Sequence, residues 1–590
     1  MPIFHAPIRD YLFLLQEYFD LSSLNDITGF KELSPDLIES IVQEGGKFCE
    51  EVLFPLNQVG DKHGCTFDNG KVTLAPGFKE AYEAYTQSGW SSFTCDPAFG
   101  GQGLPNVINM PMIEMICSAN LAFGIIPGLS HGAYNALAVH GDETLKHVVL
   151  PKLTSGEWTG VMCLTEPQCG TDLGLITTRA EPQPDGSYRL FGDKIFISAG
   201  EHDAVGNIVH MVLAKLPDAP EGVHGISLFL AGKNDLDTNK PNGITCTSME
   251  EKMGIHGTPT CVMHYENAKA YMVGIPHKGL RAMFTMMNEA RLYVGVQGLG
   301  LAEVAYQNAA QYAKERLQGR SLNGKKYPEK SADPIVVHPD VRRMLLTMRS
   351  FVEGARALVL DIALQLDISK HHPDKLVKAA ADDYVQLMTP ILKAYLTDKG
   401  FEAANLAMQV YGGHGYIRES GIEQYSRDAR IAQIYEGANG IQALDLVGRK
   451  LPRNTGRYLR SFFHPITQFI NSHRDTPEMA EFNKPLYQAV TSLQQASLWI
   501  AQKGLTNPED GAAAATDYLT MFGHVALGFH FAKMAELCLN KQKTNPSSFY
   551  QAKLATARFF IQKILPQHYG LLATITSGSK SIMEMEESHF

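Results

Sequence analysis

Twice along this chain the spacing of its apolar residues changes, and those two changes set what it can fold into. From about Leu33 to Val149 apolar residues recur every three or four positions: Leu37, Ile41, Gly45 and Phe48 share one face, and Phe78, Tyr82 and Tyr85 repeat the interval. After Gly156 come short runs, Tyr188-Arg-Leu-Phe, Lys194-Ile-Phe-Ile, Ile208-Val-His-Met-Val-Leu and Ile226-Ser-Leu-Phe-Leu, parted by Pro, Gly, Asp and Asn. That texture predicts a compact antiparallel β domain ending near Gly274. From Gly279 the helical period returns in units long enough for a bundle, Leu280 to Arg316, Asp340 to Leu366 and Lys375 to Val410. The polar insert from Gln318 to Pro339 reads as a solvated excursion between the first two. Beyond Pro452 a loop-like stretch leads to a further helical set, Pro485 to Leu505, Gly511 to Lys541 and Ser547 to Leu572.

A chain of 590 residues exceeds one ordinary domain. The expected fold is α+β and multidomain: an N-terminal extension (1–35), an N-terminal helical domain (36–156), a central β domain (157–278), a helical bundle (279–452) and a C-terminal helical domain (453–590). A net charge of -10 argues against a nucleic-acid binder that works by neutralising phosphates. The nine cysteines form no C-x-x-C pair, which suits neither a disulfide framework nor a zinc module and predicts a reducing, cytoplasmic setting. The first ten residues lack a basic region followed by an apolar core, so no secretory signal is expected. Met115 to Gly141 contains no Asp, Glu, Lys or Arg, yet its glycines, histidines, asparagines and Pro127 predict a buried interior segment and no transmembrane span.

Three segments carry candidate chemistry. Tyr425-Ser-Arg-Asp-Ala-Arg-Ile-Ala-Gln-Ile-Tyr-Glu-Gly-Ala-Asn-Gly-Ile-Gln442 sets Glu436 among small and apolar residues, where a carboxylate can act as a proton-abstracting base. Cys163-Leu-Thr-Glu-Pro-Gln-Cys-Gly-Thr-Asp172 is a Pro and Gly loop that exposes backbone N–H groups and short hydroxyls. Gly192-Asp-Lys-Ile-Phe-Ile-Ser-Ala-Gly200 reads as a strand. A rival of another class is Gly128-Leu-Ser-His-Gly132, which fits the G-x-S-x-G nucleophile elbow and would make Ser130 a hydrolase nucleophile, although no alternating βα series surrounds it. Gly319-Arg-Ser-Leu-Asn-Gly-Lys-Lys326 misses the P-loop hydroxyl, and Gly412-Gly-His-Gly415 lacks the third glycine of a dinucleotide fingerprint.

Together with Gln409-Val-Tyr-Gly-Gly-His-Gly-Tyr-Ile-Arg, these segments resemble, in the right order over roughly residues 40 to 450, the signatures of acyl-CoA dehydrogenases. The resemblance implies FAD and an acyl-CoA substrate, with Glu436 as the base. It implies Met162, Leu164, Thr165, Gly170, Thr171, Phe196 and Ser198 as flavin contacts from the β domain, and Arg316, Gln318, Gln409, Gly412 and Gly413 as contacts to the flavin of a neighbouring subunit. Thr171, Arg291, Tyr435 and Gly437 are implied for the substrate. A minority of the family places its base just before the helix arginine, but that residue is Ala290 here, with Glu289 one position earlier. Phe196 and Ser198 replace the usual Trp and Thr, His256 stands where Arg is usual, the Phe expected after Gln318 is missing because Gly319 follows directly, and Ala438-Asn439-Gly440 replaces Thr-x-x. The N-terminal Ala6-Pro-Ile-Arg-Asp-Tyr and the region after residue 452 resemble a larger bacterial branch that includes fatty acyl-CoA and 3-methylmercaptopropionyl-CoA dehydrogenases. From this follow three further expectations: a place in fatty acid β-oxidation, an electron-transferring flavoprotein as acceptor, and a homodimer, the extra helices covering the surface through which smaller relatives form tetramers.

Overall fold

The computed structural model describes every residue except Met1, Asn25 and Glu32. It divides into two compact units: a helical unit of Met1–Gly46, Pro105–Glu114 and Val294–Phe590, and a sheet unit of Lys47–Leu104 and Met115–Tyr293.

In the sheet unit lie β1 (Trp158–Cys163), β2 (Arg179–Pro182), β3 (Tyr188–Ser198), β4 (Asn207–Lys215), β5 (Ile226–Gly232), β6 (Ile244–Met249) and β7 (Thr260–Val273). Pairings run β4-β2-β3-β7-β5 and return from β5 to β4, a closed circuit to which β1 adds beside β4 and β6 beside β7. The expected antiparallel pattern holds for most pairs, but β1 and β2 run parallel to β4, with Trp158 opposite Asn207, Cys163 opposite Val212 and Arg179 opposite Lys215. Asn207 to Ala214 and all of β5 are buried, which is why these strands read as unbroken apolar runs instead of alternating ones. Ala133, Leu137, Leu145, Val149 and Leu153 pack in one cluster with Met211, Leu213, Leu228 and Leu230 of those strands.

The apolar stretch read as an interior segment lies in helix α1 (Asn106–His140). It is long and apolar enough to cross a membrane, but 78% of its most apolar window is buried within the protein. Asn120 breaks it with non-helical φ of -161° and ψ of 87°, and its side-chain oxygen accepts the Phe123 N–H at 3.1 Å, capping the second half.

The helical unit contains the part of α2 (Gly279–Glu315) beyond Tyr293, α3 (Pro339–His371), α4 (Lys375–Tyr411), α5 (Asn439–Asp445), α6 (Arg457–Ser472), α7 (Ala480–Thr506), α8 (Pro508–Thr544) and α9 (Ser548–Phe559). Helices α2 and α4 cross where Gly298 meets Gly400: a Cβ on either would lie 2.4 Å from a backbone oxygen of the other helix. Two sequence expectations change here. The loop-like stretch after Pro452 contains α6, whose Tyr458, Phe462, Ile466 and Ile470 form a buried stripe at helical spacing despite the internal Pro465. The helix expected from Ser547 to Leu572 is interrupted, because α9 passes through a π turn and a 3-10 turn at Pro566 before the helix His568–Thr576.

At the centre of the helical unit Arg356 of α3 is 2% exposed. Its guanidinium holds Glu114 at 2.6 Å and Glu303 at 2.5 Å and pairs with Asp10 of the N-terminal segment. Asp10 also pairs with Lys553 of α9, which reaches Glu353 at 3.1 Å. Burial raises the Glu114 carboxyl to about 6 against the pull of Arg356. The same burial acts on Asp10, but Lys553 and Arg356 together hold it at about 2. Replacing Arg356 with Met leaves Glu114 and Glu303 buried without their cation, so we expect a stability loss of about 3–5 kcal/mol. It should appear as a lowered thermal midpoint, whereas Arg449→Ala on the surface leaves the midpoint unchanged.

Candidate active site

Candidate site residues lie in both units. In the sheet unit the loop after β1 is built on Glu166, whose carboxylate accepts from Thr177 N–H at 2.6 Å, Thr178 Oγ1 at 2.6 Å, Gln168 Nε2 at 2.7 Å and Lys194 Nζ at 2.8 Å. Lys194 also donates to Leu164 O at 3.0 Å, and Ile195 N–H donates to Thr165 O at 2.9 Å, so the loop and β3 are sewn together. Burial alone would raise the Glu166 carboxyl, yet Lys194 and the hydroxyl and amide donors hold it at about 2.

Just past this seam β3 breaks register with β7 between Lys194 and Ile197. Phe196 occupies the break with φ of +58°, Ala199 follows at +54°, and the Phe196 residue is 59% exposed. An aromatic ring is thereby turned out of the sheet by a bulge, a device that re-aims side chains. Met162, Leu164, Thr165 and Ser198 are half-buried, and Gly170 and Thr171 are exposed. His256 accounts for its departure from the expected Arg by closing a local structure: its ring nitrogens lie 2.9 Å from Asp61 O and 2.8 Å from Lys252 O.

The hydrolase reading fails on geometry. Ser130 sits within α1 and not on a strand-to-helix turn, its hydroxyl donating to Ile126 O at 2.9 Å and accepting the Gly160 N–H at 3.1 Å. Its neighbour His131 bonds to Thr94 Oγ1 at 2.6 Å and pairs with Glu289, which also accepts from Asn135. Arg291 lies on the same helix as Glu289, within 3.2 Å of Asn288 Oδ1 and 5.8 Å from the centre of the Phe284 ring.

In the helical unit Glu436 stands half-buried in a left-handed conformation, φ +56°, followed by Gly437 at +84°. For a residue with a side chain this is strain of order 1–3 kcal/mol, and such strain gathers at functional positions. The turn is held from several sides: Tyr435 OH donates to Gln297 Oε1 at 2.5 Å, Lys393 Nζ to Gly437 O at 2.8 Å and Gln442 Nε2 to Glu436 O at 3.2 Å. Asn439, one of the departures noted in the sequence, bonds to Lys393, Thr397 and Asp398 of α4. Lys393 and Gln297 escaped the sequence reading. The available signal for Lys393 was a lone cation inside the apolar run Leu387 to Leu396.

The end of α2 and the turn after α4 meet on one surface of this unit. Tyr312 stacks on Tyr411 with ring centres 4.0 Å apart and lies 3.4 Å from His414 Nδ1. This brings exposed Arg316 and Gln318 into the neighbourhood of exposed Gln409, Gly412 and Gly413, and Gly412 takes φ of +61°, which glycine allows. Tyr416 is 85% exposed beside them.

Four family models match the chain in sequence: the acyl-CoA dehydrogenase N-terminal domain over residues 38–157, the middle domain over 161–268 and the C-terminal domain over 277–451, then the acetyl-CoA dehydrogenase C-terminal-like domain over 462–586. The chain belongs to the acyl-CoA dehydrogenase family, flavin-dependent oxidoreductases that act on acyl-CoA and have FAD as cofactor. It is 39% identical to a 3-methylmercaptopropionyl-CoA dehydrogenase of Ruegeria pomeroyi, over 98% of this chain and 99% of that one. It is 30% identical to a broad-specificity linear acyl-CoA dehydrogenase of Mycobacterium tuberculosis over the full length of both. Among solved structures, Caenorhabditis elegans ACDH-11 in complex with C11-CoA shares the fold with a TM-score of 0.79 at 18% identity, covering 95% of this chain and 92% of that one. A Bacillus anthracis acyl-CoA dehydrogenase complexed with FAD does so with a TM-score of 0.73 at 21% identity, covering 94% and 90%. The residues present suit FAD: an outward-turned Phe196 ring with hydroxyls at Thr165 and Ser198 fits a flat heteroaromatic ring, and the exposed Thr171 and Arg316 fit phosphate oxygens.

Because Glu166 is held below its ordinary value, the stability it contributes is complete above pH of about 4.5 and is lost as pH falls toward 2. Glu166→Gln should lower the thermal midpoint at pH 7, leaving Lys194 buried without its counter-charge. It should also flatten the acid limb of a midpoint-against-pH series relative to the parent protein.

Proposed function

We propose that the protein catalyses α,β-dehydrogenation of an acyl-CoA thioester to the trans-2-enoyl-CoA, with Glu436 as the base. The observation that carries this reading is the left-handed, multiply anchored turn at Glu436, a strained placement in the family's base segment. Glu436 accepts the proton from the carbon next to the thioester carbonyl, from a half-buried position. The Glu436 backbone N–H is the donor for the thioester oxygen, on which negative charge grows as the proton leaves. Tyr435, fixed by Gln297, and Gly437 border the reacting carbons, and Arg291 and Thr171 serve the rest of the substrate. When bound, FAD supplies the acceptor for the hydride that leaves the β-carbon. Thr165, Ser198, Met162, Leu164 and Phe196 would hold its ring, and Gly170, Thr171, Arg316, Gln318, Gln409, Gly412 and Gly413 would hold its phosphates and adenosine, the last five from a second subunit.

The substrate belongs to the fatty acyl-CoA thioesters of β-oxidation. A second reading, 3-methylmercaptopropionyl-CoA, is favoured by the 39% identity that spans nearly the whole of both chains. The electron acceptor is an electron-transferring flavoprotein, the setting is the cytoplasm, and the assembly is a homodimer.

Glu436→Gln should keep its flavin and lose roughly 10²- to 10⁴-fold in turnover, as measured by anaerobic dye reduction. Near-normal turnover in that variant refutes the assignment. Ser130→Ala should retain activity. The same assay over straight-chain thioesters of graded length and the methylthio analogue separates the two substrates, and light scattering should return twice the chain mass.

A further inference from the structure

We propose that Lys393 is a positioning residue for Glu436, working with Asn439, an inference that rests on the assignment of Glu436 as base. Lys393 lies in the interior of α4 and is 0% exposed. An ammonium is costly to bury, and a helix-packing role at this position would be met by Leu or Met without that penalty. What its charged end touches is the reactive turn: Gly437 O at 2.8 Å and Asn439 Oδ1 at 2.8 Å.

Both carbonyls that follow the strained φ of Glu436 are therefore occupied by buried donors. Gln442 Nε2 holds Glu436 O at 3.2 Å, and Lys393 holds Gly437 O. The turn is also gripped on either side by one carboxylate of α4, since Asp398 Oδ1 accepts Gln433 Nε2 and Asn439 Nδ2, each at 2.7 Å. Asn439 completes the frame with bonds from Nδ2 to Thr397 Oγ1 at 2.9 Å and Ala394 O at 3.2 Å. A left-handed residue persists only when its surroundings over-determine it, and Lys393 is the cation in that set. Without it the Glu436 to Gly437 segment is free to relax toward ordinary backbone angles, which moves the carboxylate and its N–H donor together.

The test is Lys393→Met in the full-length holoenzyme. Two rates are read: dye-coupled turnover, and exchange of the substrate α-hydrogen into D2O, using for the exchange an acyl-CoA that has no β-hydrogens. We expect both to fall roughly 10- to 100-fold, with KM for acyl-CoA within about 2-fold of the parent and FAD content unchanged. In a Glu436→Gln background the same substitution should lower the residual rate no further, because a residue that acts only through Glu436 has nothing left to position. If Lys393→Met does not fold, Asn439→Ala must show the same split, with kcat reduced and KM retained. Parental rates in Lys393→Met or Asn439→Ala beside an inactive Glu436→Gln overturn the proposal alone. So does a further loss on adding Lys393→Met to Glu436→Gln. Parental turnover in Glu436→Gln overturns the assignment of the base and this inference with it.

Discussion

The guanidinium of Arg356 is the contact on which the helical unit depends. It pairs with Asp10 from the N-terminal segment, Glu114 from α1 and Glu303 from α2, while Asp10 passes the network on to Lys553 of α9. Five separated stretches of chain are joined by charges that none could carry into the interior alone. Such a cluster is poor evidence for extra stability, since apolar residues of matching volume often do as well. Its effect is on register: a helix slid by one turn would leave a carboxylate buried without its cation, so mis-registered packings are penalised. The bond from Tyr550 OH to Glu17 at 2.7 Å and the edge-on contact of Phe13 with Phe549 secure the same N-terminal segment against α9. Residues at the two ends of the chain thus fold as one layer.

The candidate segments of the two units are constructed alike. In the sheet unit a buried lysine, Lys194, donates to the carbonyl of Leu164, and its own strand breaks register at Phe196. In the helical unit a buried lysine, Lys393, donates to the carbonyl of Gly437, and the residue before it takes the left-handed conformation. In each case a cation is placed beneath a stretch of irregular backbone that regular hydrogen bonding cannot satisfy. Both lysines also lean on polar neighbours that complete their valence, Glu166 in one case and Asn439 in the other. Strain appears at the positions proposed for chemistry and is opposed by residues with no part in the chemistry itself, which is how a scaffold keeps an unfavourable geometry ready.

Asn439 shows why a departure from a family pattern need not be a defect. Read as sequence, Ala438-Asn439-Gly440 removes an expected hydroxyl. In the structure the amide of Asn439 does what no single hydroxyl can, accepting from Lys393 while donating to Thr397 and Asp398. His256 is similar: in place of a long cation there is a ring bonded at both nitrogens to carbonyls of its own neighbourhood.

The amino-acid sequence by itself determined the order of elements, because the periods of 3.6 and 2 are written in nearest neighbours and need no tertiary partner. The three long bundle helices begin and end within a few residues of where their apolar spacing and flanking Pro and Gly put them. It also makes Glu436 a candidate, since a lone carboxylate among small and apolar residues is a local fact. Where prolines interrupt the pattern the reading slipped: Pro465 hid α6, and Pro566 was absorbed into a helix that ends before it. The parallel pairing of β1 with β4 was out of reach because it joins residues some fifty apart through backbone bonds that leave no trace in side-chain spacing. Only the tertiary structure decided the left-handed turn at Glu436, the outward ring of Phe196 and the burial of Lys393. Each depends on which distant carbonyls, carboxylates and amides are brought within about 3 Å, a property of the folded chain and not of any segment of it.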